Sequence, residues 1–183
     1  IDSVTVTENI TFTGTLHGSV ATTLDNGVTL ITTAAKATGK SIGDGADTAT
    51  TEITALEATD AADLSGISTD TVTAAGTLAE GVTQTFTGNL GSAAVTISSS
   101  GNGTDEIFNV DGATMGTATF TVNSNATLQG TAAKLNGVTA SGAGTTAVTA
   151  LQSTDAADLS GISTTAVTAA GTLAEGVTQT FTG

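Results

Sequence analysis

Along most of this chain, apolar and polar positions alternate one by one. Val4-Thr5-Val6-Thr7, Val82-Thr83-Gln84-Thr85-Phe86-Thr87, Ala93 to Ile97 and Ala118-Thr119-Phe120-Thr121-Val122 put Val, Ile, Phe or Ala on one side and mainly Thr or Ser on the other. A period of two marks a β-strand with one buried face. Between these runs stand Asn26-Gly27, Gly43-Asp44-Gly45, Gly101-Asn102-Gly103 and Asn136-Gly137, which supply positive φ and tight turns. No segment sustains a 3.6-residue period with caps. Only TAAK (33–36 and 131–134) and DAADLSG (60–66 and 155–161) fit short helical turns. The pattern predicts an all-β chain.

The pattern also repeats. Residues 58–88 and 153–183 are identical except at Ala58/Ser153, Asp70/Thr165 and Thr71/Ala166, and TFTG occurs a third time at 11–14. The chain therefore divides into a lead-in (1–14), a first unit (15–88) and a second unit (89–183) that is longer by 21 residues. A finer spacing lies inside: TTAVTA recurs after 19 residues (145–150, 164–169), and LNGV (135–138) resembles LSGI (159–162) at an offset of 24. The difference between the units is thus about one fine period. A solenoid absorbs a whole coil without disturbing the rest, because each coil touches only its neighbours. The expectation is a β-solenoid of about 20 residues per coil, roughly nine coils advancing ~4.8 Å each, as one continuous rod. The alternative is a pair of tandem Ig-like sandwiches, for which a 95-residue period is the right size. No Trp or Tyr is present to anchor such a sandwich.

Composition narrows the chemistry. Thr makes up about a quarter of the 183 residues, aromatics are 3% and all Phe, and Pro and Cys are absent. Small β-branched residues suit thin stacked layers. Phe12, Phe86, Phe108, Phe120 and Phe181 fall on the apolar side of their strands and are expected in the core. The net charge is −14, with three Lys and no Arg. A phosphate backbone or an anionic membrane surface would be repelled, so nucleic acid and membrane are poor partners. No stretch has the length and apolarity of a membrane-inserted helix. The chain starts at Ile1 without Met and reads as a processed chain or a piece of a longer one.

NLGSAAVTI (89–97), the run from TAAK to GVTASGAGTTAVTAL (131–151) and DAADLSGISTTAVTAA (155–170) resemble the Thr/Ala/Gly-rich β-strand repeats of very large bacterial cell-surface proteins, repetitive adhesins and surface-layer or matrix-like proteins. The resemblance implies a structural segment, extracellular or on the cell surface, carried in an array.

Candidate sites are few. SGNGTDEIF (100–108) fits most of the G-G-x-G-x-D-x-U-x pattern of calcium-binding β-rolls, which makes Asp105 a candidate carboxylate for calcium. IGDGADTAT (42–50) is a looser match through Asp47, with Asp44 beside it, and Asp111 in NVDG would complete a site with Asp105 if the chain folds back. Asp60/Asp63 and Asp155/Asp158 read either as a repeated cation or lateral-contact site or as caps accepting from free backbone N–H groups. The Thr-x-Thr-x-Thr runs at 83–87, 117–121 and 178–182 resemble ice-binding faces or serve as exposed strand surface. Asn9, Asn102 and Asn125 begin N-x-T sequons. His17 is the only His and has no recognisable partner, and no nucleophile motif is present. A catalytic role is not expected. The expected role is mechanical, by end-to-end or lateral β packing with further copies of the repeat. The alternative is a ligand- or ice-binding adhesin module.

Overall fold

A computed structural model describes residues 3–16, 20–45, 48–103 and 106–183. In chain order these residues form β1 (Ser3–Val6), β2 (Ile10–Thr11), β3 (Ala21–Leu24), β4 (Thr29–Thr33), the one-turn helix α1 (Ala34–Ala37), β5 (Ile42–Gly43), β6 (Thr50–Thr54), β7 (Ile67–Ser68) and β8 (Thr71–Leu78). There follow β9 (Thr83–Thr85), β10 (Ala94–Ser99), β11 (Glu106–Asn109), β12 (Thr119–Val122), β13 (Ala126–Thr131), α2 (Ala132–Leu135), β14 (Thr139–Thr149) and β15 (Ile162–Ala169). The described strand pairs are all parallel, and paired residues lie 18 (Thr127 with Thr145) to 25 (Ile42 with Ile67) positions apart. This is a β-solenoid of about 8 coils of ~21 residues. Coils run longer than the expected 20 where a corner holds extra residues, as between Ile42 and Ile67. The chain divides into two compact units, one of residues 1–77, 87–96 and 113–118, the other of residues 78–86, 97–112 and 119–183.

In the first unit, β1, β3, β5 and β7 form one parallel ladder, and β2, β4, β6 and β8 another. Alternation along each strand sends every second residue inward. The inward columns are Leu30–Thr51–Val72 and Thr32–Ile53–Ala74, all buried. Outward, Thr29, Thr50 and Thr71 stack as a Thr column. A line of isolated parallel bridges joins Asp63, Asn89 and Thr114.

In the second unit, β9, β11, β13 and β14 form a ladder, and β14 also pairs β12 and β15. One inward column runs Gln84–Phe108–Leu128–Thr146, all buried, and the rings of Phe86 and Phe108 stack at 5.6 Å. Beside it, Asn109 Nδ2 donates to Gln129 Oε1 at 2.9 Å, an amide ladder between successive coils.

Thr was expected outside, yet Thr22, Thr32, Thr51, Thr69, Thr127, Thr146 and Thr164 are buried. Four of them are hydrogen-bonded in pairs: Thr69 Oγ1 donates to Thr51 Oγ1 at 3.0 Å, and Thr164 Oγ1 to Thr146 Oγ1 at 2.9 Å. A hydroxyl is tolerated inside when it finds a partner. TAAK does form helical turns, α1 and α2, with the Thr131 hydroxyl accepting from Lys134 N at 3.3 Å. DAADLSG does not. Asp63 and Asp158 instead close Asx turns on Ser65 and Ser160, a local bond that competes with a helix. Phe86, Phe108 and Phe120 are core as expected, whereas Phe12 is half-buried and Phe181 exposed.

The TFTG element at 85–88 and 180–183 has a steric reason. Thr87 N donates to the Asp60 carbonyl at 2.6 Å, which presses Gly88 onto the backbone of Ala62, and a Cβ on Gly88 would collide with the Ala62 carbonyl oxygen. Thr182, Asp155, Gly183 and Ala157 repeat this arrangement. Only Gly fits where two backbones approach so closely.

Candidate functional site

Corners of a parallel coil leave backbone N–H groups without a ladder partner, and each needs an acceptor. Here polar side chains of the preceding coil supply it. Asp44, buried, accepts from Asp70 N through Oδ2 at 2.8 Å, and Asp111 accepts from Thr131 N through Oδ1 at 2.7 Å. Asn9 serves Thr29 N (2.8 Å), Glu57 serves Thr77 N (3.0 Å) and Asn136 serves Asp158 N (2.7 Å). Two of the four candidate calcium ligands thus hold one carboxylate oxygen each on a backbone N–H. Asp44 belongs to the first unit and Asp111 to the second. Asp47 and Asp105 lie outside the described residues, as does His17. Among the described residues, no group of three or more His, Cys, Asp or Glu side chains converges.

The repeated Asp behaves as the capping reading expects, on a turn rather than on a helix. Asp63 Oδ1 accepts from Ser65 Oγ (2.6 Å) and N (3.1 Å), and Asp158 Oδ1 from Ser160 Oγ (2.7 Å) and N (3.0 Å). The Ser160 hydroxyl, and then its backbone N–H, hold the Asp158 carboxyl below its ordinary 3.8.

In the Thr run at 83–87, Thr83 and Thr85 face Ile107 and Asn109 in the next coil, so the Thr-x-Thr spacing is not continued there. Of the sequon residues, Asn9 is engaged as above and Asn125 Nδ2 donates to the Gly101 carbonyl at 3.3 Å. Asn102 is exposed on a bend.

One residue was missed. Glu106 is fully buried in β11, and neither carboxylate oxygen has a hydrogen-bond partner. A Cβ on Gly101 would collide with Glu106 Oε1, and the same point lies 2.9 Å from Glu80 Cβ and 3.0 Å from Glu80 Cγ. Two acidic side chains therefore converge on a residue without a side chain. The signal was present in Glu106-Ile107-Phe108, where the period of two puts Glu on the same face as a core Phe.

Exposed apolar side chains gather in the second copy of the repeat. Val167, Leu173 and Phe181 are 49%, 48% and 41% exposed, while their counterparts Val72, Leu78 and Phe86 are 5%, 1% and 0% exposed. Leu173, Val177, Gln152, Asp155 and Gln179 line an open groove of about 560 Å³ there. In the first unit, Val4, Val6, Ile10, Phe12, Leu16 and Leu30 line a groove of about 370 Å³ under the first strands. Among the described residues β15 pairs only with β14, which leaves its other edge open. Comparison with known proteins adds no name: no family model, no curated protein and no solved structure matches this chain.

Proposed function

We propose that this chain is a structural repeat segment of an extracellular or cell-surface bacterial protein, and that it works by stacking coil upon coil into a filament or matrix. The observation that carries this reading is the pair Phe86 and Phe181. The same sequence buries its Phe fully in the first copy, which further coils of the repeat cover, and leaves it 41% exposed in the second. What covers the first copy is repeat sequence itself, beginning at Asn89, whose carbonyl accepts from Leu64 N at 2.8 Å. The natural occupant of the second copy's surface is therefore another coil of the same kind, which a second copy of the chain offers in solution. An open strand edge above an apolar face favours such addition. Head-to-tail contacts of this type do not close and so propagate. The Thr/Ala/Gly-rich repeats supply the resemblance to surface proteins.

Sedimentation velocity over a wide concentration range tests this. The chain is expected to associate increasingly with concentration. Phe181→Asp, at an exposed site, is expected to weaken that association, and so is a chain extended after Gly183 by a second copy of residues 89–118. A chain that stays monomeric at every concentration, or whose association ignores both changes, overturns the reading.

A further inference from the structure

We propose that Glu106 and Glu80 bind a hard divalent cation, with calcium as the best fit, at the Gly101 turn. Glu106 carries the argument. Its side chain is 0% exposed and both its oxygens lack a hydrogen-bond partner. A carboxylate taken out of water without compensation is strongly destabilised, so it must be neutralised by a proton or paired with a cation. The geometry favours the cation. Glu80 is exposed, and its Cβ and Cγ lie 2.9 and 3.0 Å from where a Cβ on Gly101 would stand, a place that Glu106 Oε1 also crowds, so both acidic side chains border the same turn. A divalent ion held by the carboxylates of both side chains would give Glu106 the positive partner that it lacks. The absence of a side chain at Gly101 makes the space, since any Cβ there would displace Glu106 Oε1. The turn is braced by Ser99 Oγ, which accepts from Gly101 N at 2.9 Å.

The donors are oxygens only, which selects a hard cation over zinc or copper. Two carboxylates on an irregular turn suit the flexible coordination of calcium better than the strict octahedron of magnesium. The exposed Glu80 gives an entry path, and the net charge of −14 concentrates cations around the chain. The site is independent of the corner carboxylates Asp44 and Asp111, and of self-association.

The test is calcium titration of the chelator-treated full chain, followed by calorimetry and by melting temperature. One saturable site is expected, with the melting temperature rising as calcium exceeds its dissociation constant. Glu106→Gln should abolish the binding heat and make the melting temperature indifferent to calcium. Glu80→Gln, at an exposed position, should fold normally and weaken affinity at least about tenfold, because affinity follows ligand charge. Magnesium should bind more weakly than calcium. Absence of any calcium heat in the wild-type chain overturns the proposal. So does a calcium response that survives Glu106→Gln. A melting temperature that climbs only on acidification, with Glu106→Gln removing that climb, assigns the site to a proton and overturns it too. If Glu106→Gln fails to fold, unchanged affinity in Glu80→Gln decides against the site.

Discussion

Residues 58–88 and 153–183 differ at three positions, yet they behave differently. Several contacts toward the preceding coil recur in both. Thr77 N reaches Glu57 Oε2 at 3.0 Å and Thr172 N reaches Gln152 Oε1 at 3.0 Å, while Thr87 N and Thr182 N meet the Asp60 and Asp155 carbonyls at 2.6 and 2.7 Å. The left-handed residue before the short 3-10 turn is kept as well, at Ala55 (φ 54°) and Ala150 (φ 45°). The first copy also contacts the coil that follows it: Leu64 N donates to the Asn89 carbonyl and Phe86 N to the Asn109 carbonyl, both at 2.8 Å. The strands change with them. β8 runs through Leu78 and is followed by β9, whereas β15 ends at Ala169 and the counterpart of β9, at 178–180, is not a strand. Local sequence fixes turns and backward contacts. A strand and a buried face need the neighbour in front.

The sharpest way to break this comparison is to shorten the two Phe side chains. Phe86→Ala removes a fully buried ring stacked on Phe108 and should cost about 3–5 kcal/mol. Phe181→Ala removes a ring already 41% exposed and should cost under about 1 kcal/mol in the dilute monomer. Denaturant melts of the two variants read the difference directly. Equal losses would mean that the second copy is covered in solution even when dilute.

The next effect should be equal in the two copies. Thr69→Val and Thr164→Val each remove a donor to the buried hydroxyl of the preceding coil, Thr51 or Thr146, and leave that hydroxyl short of its partner. Each should cost about 1–2 kcal/mol. Both bonds point backward, so melts of the two variants should show the same loss within error. A loss confined to the first copy would show that backward contacts also depend on the cover in front.

Much of this was legible, and the residues show why. The period of two in Ala118 to Val122 marked β12, and the 19- to 24-residue spacings marked the coil, because stacking forces equivalent residues into register. The corner acceptors were not legible as such. Asp44 and Asp111 sit in Gly-rich turns that also fit a cation loop, and only the fold shows which backbone N–H each one faces. Phe181 was expected in the core because alternation names the inward face but cannot say whether anything lies beyond it. Glu106 escaped for the opposite reason: a Glu at a strand's start reads as solvent-facing, although its phase matches Phe108.

The smallest expected effect is electrostatic and belongs to the second copy. The two bonds from Ser160 favour the charged form of Asp158, so its carboxyl titrates below the ordinary 3.8. A carboxyl whose folded value is lowered contributes stability that is present above the ordinary value and lost as pH falls through the lowered one. Asp158→Asn keeps an acceptor for Ser160 N but has no charge to lose. The wild-type chain should therefore melt slightly above Asp158→Asn near neutral pH, with the gap closing as the pH falls below the ordinary carboxylate value. The side chain is wholly exposed and screened by salt, so the gap should also shrink as ionic strength rises. A gap unchanged from neutral to strongly acidic pH would show that the turn is held by the shape of its hydrogen bonds and not by the charge of Asp158.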